Sequence, residues 1–311
     1  MSEAAALIEA GRRLGSLAEA DAPLGPLTTY RVGGSAALLV RVDDEGALTA
    51  AVAAVVATGV EVLVVGKGSN LLVADAGFAG LALVLGDAFA AIEVDGVAVR
   101  AGGAAALPVV ARRTVAAGLT GFEWAVGVPG SVGGGVRMNA GGHGSDLAAS
   151  LVGVRLVDLR SGEDGWVTAA SLDLGYRRSA VAPHQVVVAA DLALARGDAD
   201  EGATRLAEIV AWRREHQPGG PNAGSVFTNP EGDSAGRLVE AVGAKGLRVG
   251  TAEVSTKHAN FIQADEGGRA DDVRALMIEV RRRVLEGTGV ILHPETRCVG
   301  FPRDPQLEVE G

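Results

Sequence analysis

Ser225 stands in the segment AGSVFTNP, residues 223–230, behind a glycine and ahead of a Val-Phe pair and an Asn-Pro corner. Nothing beside it resembles the base and sharp elbow that turn a serine into a nucleophile. On the residues alone, a serine that only satisfies nearby backbone is the plain alternative. Two glycine-dense segments offer a different chemistry. In VVGKGSNLLV (64–73) an apolar strand runs into Gly66 and Gly68, with Ser69 and Asn70 as polar handles. In GVPGSVGGGVRMNAGGHGSD (127–146), Gly130, Gly133, Gly134 and Gly135 strip one stretch of side chains, and Ser131 and Asn139 are the handles. Bare backbone N–H groups after a strand suit a phosphate. Either segment alone could be an irregular surface loop. Together they favour a shared diphosphate ligand, hence a dinucleotide. Neither GxxxxGK[ST] nor a GxGxxG that opens a helix is present, so the site is neither a P-loop nor a Rossmann site. His143, His258 and His293 lack metal-ligand spacing, no HExxH or CxxC occurs, and zinc is not expected. His258 is expected to be structural.

The elements that must hold these segments follow from composition and pattern. The 311 residues suffice for two or three domains, and 48% hydrophobic content supports a sizeable core. With 4% aromatics, that core must be mostly Val, Leu and Ala. A formal charge of −10 argues against nucleic acid as a partner, though not against a small anion held locally. The lone Cys298 cannot form an internal disulfide and suits a reducing cytoplasm. The acidic start lacks a signal-peptide layout. Residues 48–66 are apolar for nearly a membrane span, but Gly59 and Glu61 divide them into a helix and a strand, so no membrane insertion is expected.

Strands are expected at 37–42, 61–65 and 81–85, with a helix over 45–57. A hairpin turns at Asp95-Gly96 and a helix follows at 107–117. The glycine-dense stretch 127–144 is expected to be a loop, followed by strands at 153–159 and 185–194 and a polar helix at 201–215. Beyond the linker-like HQPGGPNAG, the pattern gives a short strand at Ser225, a helix at 234–242, a strand at 260–263, a helix at 271–285 and a strand at 290–292. Helices in every portion point to an α+β fold of three lobes, with the site where they meet.

Seven segments occur in one order: TTYRVGG (28–34), GKGSNLL (66–72), GVPGSVGGGVRMNAG (127–141), GYRRS (175–179), NAGSVFTNP (222–230), VSTKHANFI (254–262) and HPETR (293–297). The set closely resembles the bacterial UDP-N-acetylenolpyruvoylglucosamine reductases, which make UDP-N-acetylmuramate for peptidoglycan. The resemblance implies two FAD-binding lobes of the vanillyl-alcohol-oxidase type, residues 1–88 and 89–216, and a C-terminal α+β substrate lobe, 217–311, whose last residues pack back on the FAD lobes. It implies non-covalent FAD, NADPH as hydride donor and a cytoplasmic setting. The carried-over cofactor contacts are Tyr30, Gly66, Gly68, Ser69, Asn70, Leu71, Pro129, Gly130, Ser131, Gly133, Gly134, Asn139 and Gly141.

In the chemistry so implied, a hydride reaches C3 of an enolpyruvyl ether and negative charge builds at C2, spreading into the carboxylate. One donor to such a charge is worth about 2.7–4 kcal/mol in a well-studied case. By resemblance Ser225 delivers the proton to C2, a task that needs no histidine base. Arg177 offers its guanidinium fork to the carboxylate. Glu295 near a growing negative charge helps only when protonated, so burial is expected to raise its pKa. Without the resemblance, a surface ion pair for Arg177 and a solvated acid at Glu295 would be preferred. Asn229 matches a substrate-diphosphate contact, and Tyr176 is expected beside the substrate.

The pattern departs in places. His216 and Thr228 stand where many relatives have lysines, which predicts weaker anion binding, or binding that strengthens at low pH through His216; Arg213 or Arg214 could substitute. His143 stands where an aromatic is common and is expected to alter packing on the flavin only. The short run from Ser179 to Gln185 resembles the shorter class of these enzymes, without a substrate-lid loop. UDP-sugar and NADPH are expected to use one cleft in turn, and a monomer is slightly favoured. An oxidase on the same FAD scaffold, or an inactive flavin or UDP-sugar binder, are the rivals; neither accounts for Ser225, Arg177 and Glu295 together.

Overall fold

The computed structural model describes residues 2–302; the terminal residues 303–311, expected to pack back on the FAD lobes, lie outside the described residues. In chain order the structure begins with α1 (Glu3–Leu14), β1 (Ala18–Pro23), β2 (Ser35–Val42), α2 (Glu45–Thr58), β3 (Val62–Val65), β4 (Leu71–Val73) and β5 (Phe78–Leu85). Then come β6 (Ile92–Asp95), β7 (Ala98–Gly102), α3 (Leu107–Ala116), β8 (Leu119–Thr120), α4 (Val132–Met138), β9 (Gly141–Gly142), β10 (Ser145–Asp146), β11 (Leu151–Asp158) and β12 (Asp164–Thr168). The chain continues with β13 (Gln185–Ala193), β14 (Ala195–Arg196), α5 (Ala199–His216), α6 (Ala235–Ala241), β15 (Arg248–Val249), β16 (Ala252–Val254), β17 (Ile262–Ala264), α7 (Ala270–Thr288) and β18 (Arg297–Val299). The α+β class expected from the sequence is the class observed.

Contacts group the chain into two compact units, each assembled from separated stretches. The first unit comprises residues 1–21, 37–67 and 80–213; the second comprises 22–36, 68–79 and 214 onward. Within the first unit, a four-stranded sheet runs β1-β2-β5-β3, with β3 parallel to β5, and a five-stranded antiparallel sheet runs β12-β11-β13-β7-β6. Strand β13 has apolar neighbours on both faces. Val186 and Val188 join one core with Leu38, Leu48, Leu81 and Leu83, and Val187, Ala190 and Leu192 join another with Val99, Leu107, Phe122 and Val154. Alternation along a strand sends successive side chains to opposite faces, so a strand covered on both reads as the unbroken apolar run VVVAA.

Local signals explain several elements. The Asp44 carboxylate accepts from Ala47 N–H at 2.7 Å to start α2, and Gly59 in the left-handed region (φ 66°) ends it. The β6–β7 hairpin forms where Asp95-Gly96 marks it, but one residue on: Asp95 pairs with Ala98, and Gly96 (φ 61°) and Val97 make the turn. Helix α1, which the sequence reading passed over, buries Ala6, Ala10 and Leu14 at helical spacing. The second glycine-dense stretch is not all loop: α4 lies inside it, capped by Ser131 Oγ, which accepts from Gly134 N–H at 3.3 Å. Glycine costs a helix about 1 kcal/mol against alanine. Packing demands it here, because a Cβ on Gly133 would meet the carbonyls of Val187 and Gly103 at 3.1 and 3.2 Å.

In the second unit, α6 and α7 pack on the three-stranded sheet β15-β16-β17 through Leu238, Val239, Val273, Leu276 and Val280 against Val254 and Ile262. Asp75 supplies the cap that α7 lacks locally, accepting from Ala270 N–H at 2.9 Å and Asp271 N–H at 3.2 Å. Strand β18 pairs in parallel with β4. Two expected strands are corrected. Ser225 lies in irregular backbone, whose only ladder contact is the bridge Phe227–Pro294, and residues 290–292 form no strand because the pairing partner of β4 lies further on, at 297–299.

Candidate active site

The two glycine segments meet in the first unit. A cavity of about 90 Å³ is walled by the ends of β3 and β5, by Gly103, by the start of α4 and by the residues leading into β13. Gly66 from the first segment and Ser131, Gly133 and Gly134 from the second all line it. A Cβ on Gly66 would lie 2.6 Å from Ser131 Oγ, so the close approach of the two segments requires glycine. Val64, Val65, Val84, Leu85, Val186 and Val187 give apolar walls, and Lys67 and Arg137 are its charged residues. Apolar walls, glycines without side chains and two cations suit a ligand that joins flat rings to an anionic diphosphate, as FAD does. Gly66, Ser131, Gly133 and Gly134, expected from the sequence at the cofactor, line this cavity. Gly103, Arg137 and Lys67 were missed. The Gly102-Gly103 pair closing the hairpin strand, and a cation inside a glycine-rich stretch, were the signals available.

The GYRRS turn belongs to the same unit. Arg177 takes the left-handed conformation (φ 57°), its Nη2 donates to the Gly141 carbonyl at 3.0 Å, and its guanidinium lies 5.3 Å from the centre of the Tyr176 ring. Asn139 clamps this turn. Its Nδ2 donates to the Gly175 carbonyl at 3.0 Å and to Asp146 Oδ2 at 3.1 Å, while its Oδ1 accepts from Ala148 N–H at 3.0 Å. Asn139 is buried with its amide committed, which corrects the expectation of a cofactor handle. Gly141 likewise serves through its carbonyl, which Arg177 uses. Tyr176 is 60% exposed. Pro129 is exposed, and Gly130 is buried with its carbonyl accepting from Leu107 N–H.

In the second unit, the segments carrying Ser225 and Glu295 are joined through the backbone of Val226. The Val226 carbonyl accepts from Glu295 N–H at 2.8 Å and from Thr296 N–H at 3.3 Å. Val226 N–H donates to the Asn260 carbonyl at 2.9 Å, Phe227 N–H to Asn260 Oδ1 at 3.0 Å, and Asn260 Nδ2 to the Phe227 carbonyl at 2.8 Å. Asn260, from the VSTKHANFI segment, thus fixes the backbone that carries Ser225. Asn70 does the same for the other side, donating from Nδ2 to the Glu295 carbonyl at 3.0 Å. That is a correction: Asn70, expected at the cofactor, places the HPETR segment, and Leu71 begins β4 opposite Arg297. Gly68 packs on the TTYRVGG segment, where a Cβ would lie 2.1 Å from the Leu27 carbonyl. Ser69 is half-buried in the turn before β4.

Tyr30 also departs from expectation. It is fully buried among apolar side chains, and burial pushes its hydroxyl well above the usual tyrosine range. Asn229 is exposed, with Oδ1 accepting from Ala235 N–H at 3.1 Å at the start of α6. His216 ends α5 and is exposed. His143 packs edge-on to Trp212 at 5.2 Å; burial, with Arg213 and Arg205 nearby, lowers its pKa. His258 packs against Phe261 at 4.8 Å. Among the described residues no group of three His, Cys, Asp or Glu could hold a metal, and no helix is long and apolar enough to cross a membrane.

Comparison with known proteins agrees with this layout. Residues 36–164 match the FAD binding domain profile, and residues 215–299 match the C-terminal domain of UDP-N-acetylenolpyruvoylglucosamine reductase. The reductase of that name from Paramagnetospirillum magneticum is 43% identical over 91% of this chain and 92% of its own length. The one from Rubrobacter xylanophilus is 41% identical over 94% and 98%. The crystal structure of the Thermus caldophilus reductase superposes with a TM-score of 0.78 at 35% identity, covering 89% of this chain and 97% of that one. Identity at this level over nearly the full length of its relatives, with both domains matched, places the chain in the UDP-N-acetylenolpyruvoylglucosamine reductase family of FAD-binding oxidoreductases.

Proposed function

We propose that this protein reduces the enolpyruvyl ether of UDP-N-acetylenolpyruvoylglucosamine to UDP-N-acetylmuramate, with Ser225, Arg177 and Glu295 carrying the steps that the chain itself performs. The observation that supports this most is the backbone frame that joins the segments carrying Ser225 and Glu295, in which the Val226 carbonyl accepts from Glu295 N–H. FAD supplies, when bound, the hydride that comes from NADPH and ends on C3 of the enolpyruvyl group. Gly66, Ser131, Gly133 and Gly134 would hold FAD, and the valine walls of the cavity would exclude water there.

Ser225 donates its proton to C2 as charge develops there, and Glu295, protonated, donates to the enolate oxygen. Arg177 pairs with the substrate carboxylate through its fork, at an angle fixed by the Gly141 carbonyl and Asn139. Asn229, His216 and Tyr176 contact the UDP-sugar. UDP-sugar and NADPH occupy the site in turn. Only residues 180–184 separate GYRRS from β13, which leaves no length for a lid there. Use of NADPH and a nucleotide-activated peptidoglycan precursor carries a cytoplasmic location with it.

The test is anaerobic. The holoprotein is reduced with NADPH, UDP-N-acetylenolpyruvoylglucosamine is added, and the oxidised flavin spectrum is followed. Prompt reoxidation supports the reading. A flavin that stays reduced until oxygen enters favours an oxidase, and a flavin that NADPH never reduces favours a binding protein.

A further inference from the structure

We propose that Arg137 is an anchoring charge for the FAD diphosphate, a role that deepens the cofactor assignment above and rests on it. The chain carries ten more negative than positive charges, yet the residues lining the cavity include Lys67 and Arg137 and no Asp or Glu. A wall with only cations, on a protein of opposite overall sign, selects an anionic occupant. Of the two cations, Lys67 is exposed at the end of β3, while Arg137 is half-buried in the last turn of α4.

Its guanidinium is fixed in place. Nη1 donates to the Ala182 carbonyl at 2.7 Å and to the Val181 carbonyl at 3.3 Å, and the Arg137 carbonyl accepts from Ser179 Oγ at 2.7 Å. Val181 is itself a wall residue, so the charge is tied to the surface it serves. A guanidinium is planar, always charged and weakly hydrated, and it keeps that charge when half-buried. Held a few residues from Ser131, Gly133 and Gly134, it adds a fixed charge to the wall that these residues form. The same bonds connect α4 to the segment that carries Arg177, so the cofactor's anchor and the substrate's arginine share one support.

The test is flavin binding by the full-length protein stripped of its flavin, for wild type, Arg137→Met and Arg137→Lys, titrated with FAD and with riboflavin, which has the ring but no diphosphate. Loss of a charge-assisted contact lowers FAD affinity about ten- to a hundredfold in Arg137→Met, with Arg137→Lys recovering part. Riboflavin affinity stays as in wild type. The salt dependence of FAD binding gives a second readout: added salt weakens the wild type more than Arg137→Met. Unchanged FAD affinity in Arg137→Met overturns the proposal, as does an equal loss for FAD and riboflavin, which assigns Arg137 to holding the 181–182 segment alone. A wild type that binds no FAD would instead sink the cofactor assignment itself.

Discussion

Replacing Asn260 with alanine tests how the second unit holds Ser225. The side chain is buried and makes two bonds to one residue, accepting from Phe227 N–H at 3.0 Å and donating to the Phe227 carbonyl at 2.8 Å. Phe227 is buried as well, so alanine leaves one N–H and one C=O without a partner in the interior. Each such group costs about 1–3 kcal/mol, giving roughly 2–6 kcal/mol before water enters the space and about 3 kcal/mol after it. Scanning calorimetry should then show a fall of about 6–12 °C in melting temperature. Function should divide by half-reaction. Reduction of the flavin by NADPH stays near the wild-type rate, while reoxidation by substrate slows, because Phe227, whose backbone the Asn260 amide holds, is two residues from Ser225. A shift under about 2 °C together with unchanged reoxidation would refute the view that Asn260 sets the Ser225 backbone.

Ser225→Ala should leave reduction by NADPH unchanged and slow reoxidation by about 10²–10³-fold in stopped-flow traces; equal slowing of both halves would mean that the serine positions the flavin. Gly103→Ala places a Cβ 1.9 Å from the Val187 carbonyl, a backbone atom that cannot step aside, and should lower the melting temperature and flavin content together. Gly66→Ala meets only the rotatable Ser131 Oγ, so the fold should stand while the flavin-to-protein ratio falls; a normal ratio would count against the cavity as the cofactor site. Burial pushes the Asp158 carboxyl up, but Ser161 and Arg160 N–H groups, the Gln185 amide and His184 outweigh it and hold its pKa below the usual 3.8. A depressed folded-state pKa gives stability that is present above pH 3.8 and lost as pH falls through the lower folded value. Melting curves below about pH 4 should therefore fall more steeply for wild type than for Asp158→Asn, and parallel curves would exclude this carboxylate as a contributor.

The elements most legible in the sequence are those whose signals are local. Helix α2 lies between a capping Asp44 and Gly59, and the Asp95-Gly96 pair marks its own hairpin. What escaped depends on contacts between distant residues. Helix α4 runs against glycine propensity, and only the approach of Gly103 and Val187 explains it. The strand after HPETR was misplaced because its position is set by β4 early in the chain. For the site, residue types could not separate an amide that faces a ligand from one that faces backbone. Asn70 and Asn139 looked like cofactor handles, yet they place Glu295 and Arg177. Tyr30 sits in a recognisable motif and is nonetheless core. The expectations for Ser225, Arg177 and Glu295 rest on motif order, which carries long-range information that periodicity lacks.

The bond from Asn70 to Glu295 spans 225 positions of the chain, and β4 waits on β18 across the same gap. A ribosome adds about 5–20 residues per second, so strand β4 emerges roughly 10–45 s before its only parallel neighbour exists. During that interval the residues destined for the second unit from 22–36 and 68–79 have no core to join. Such long-range closure is slow and leaves apolar strands open to wrong partners. Messages that stall before β18 would therefore yield a chain with β4 unpaired, and nascent-chain quality control would bear most heavily on the final stretch of synthesis.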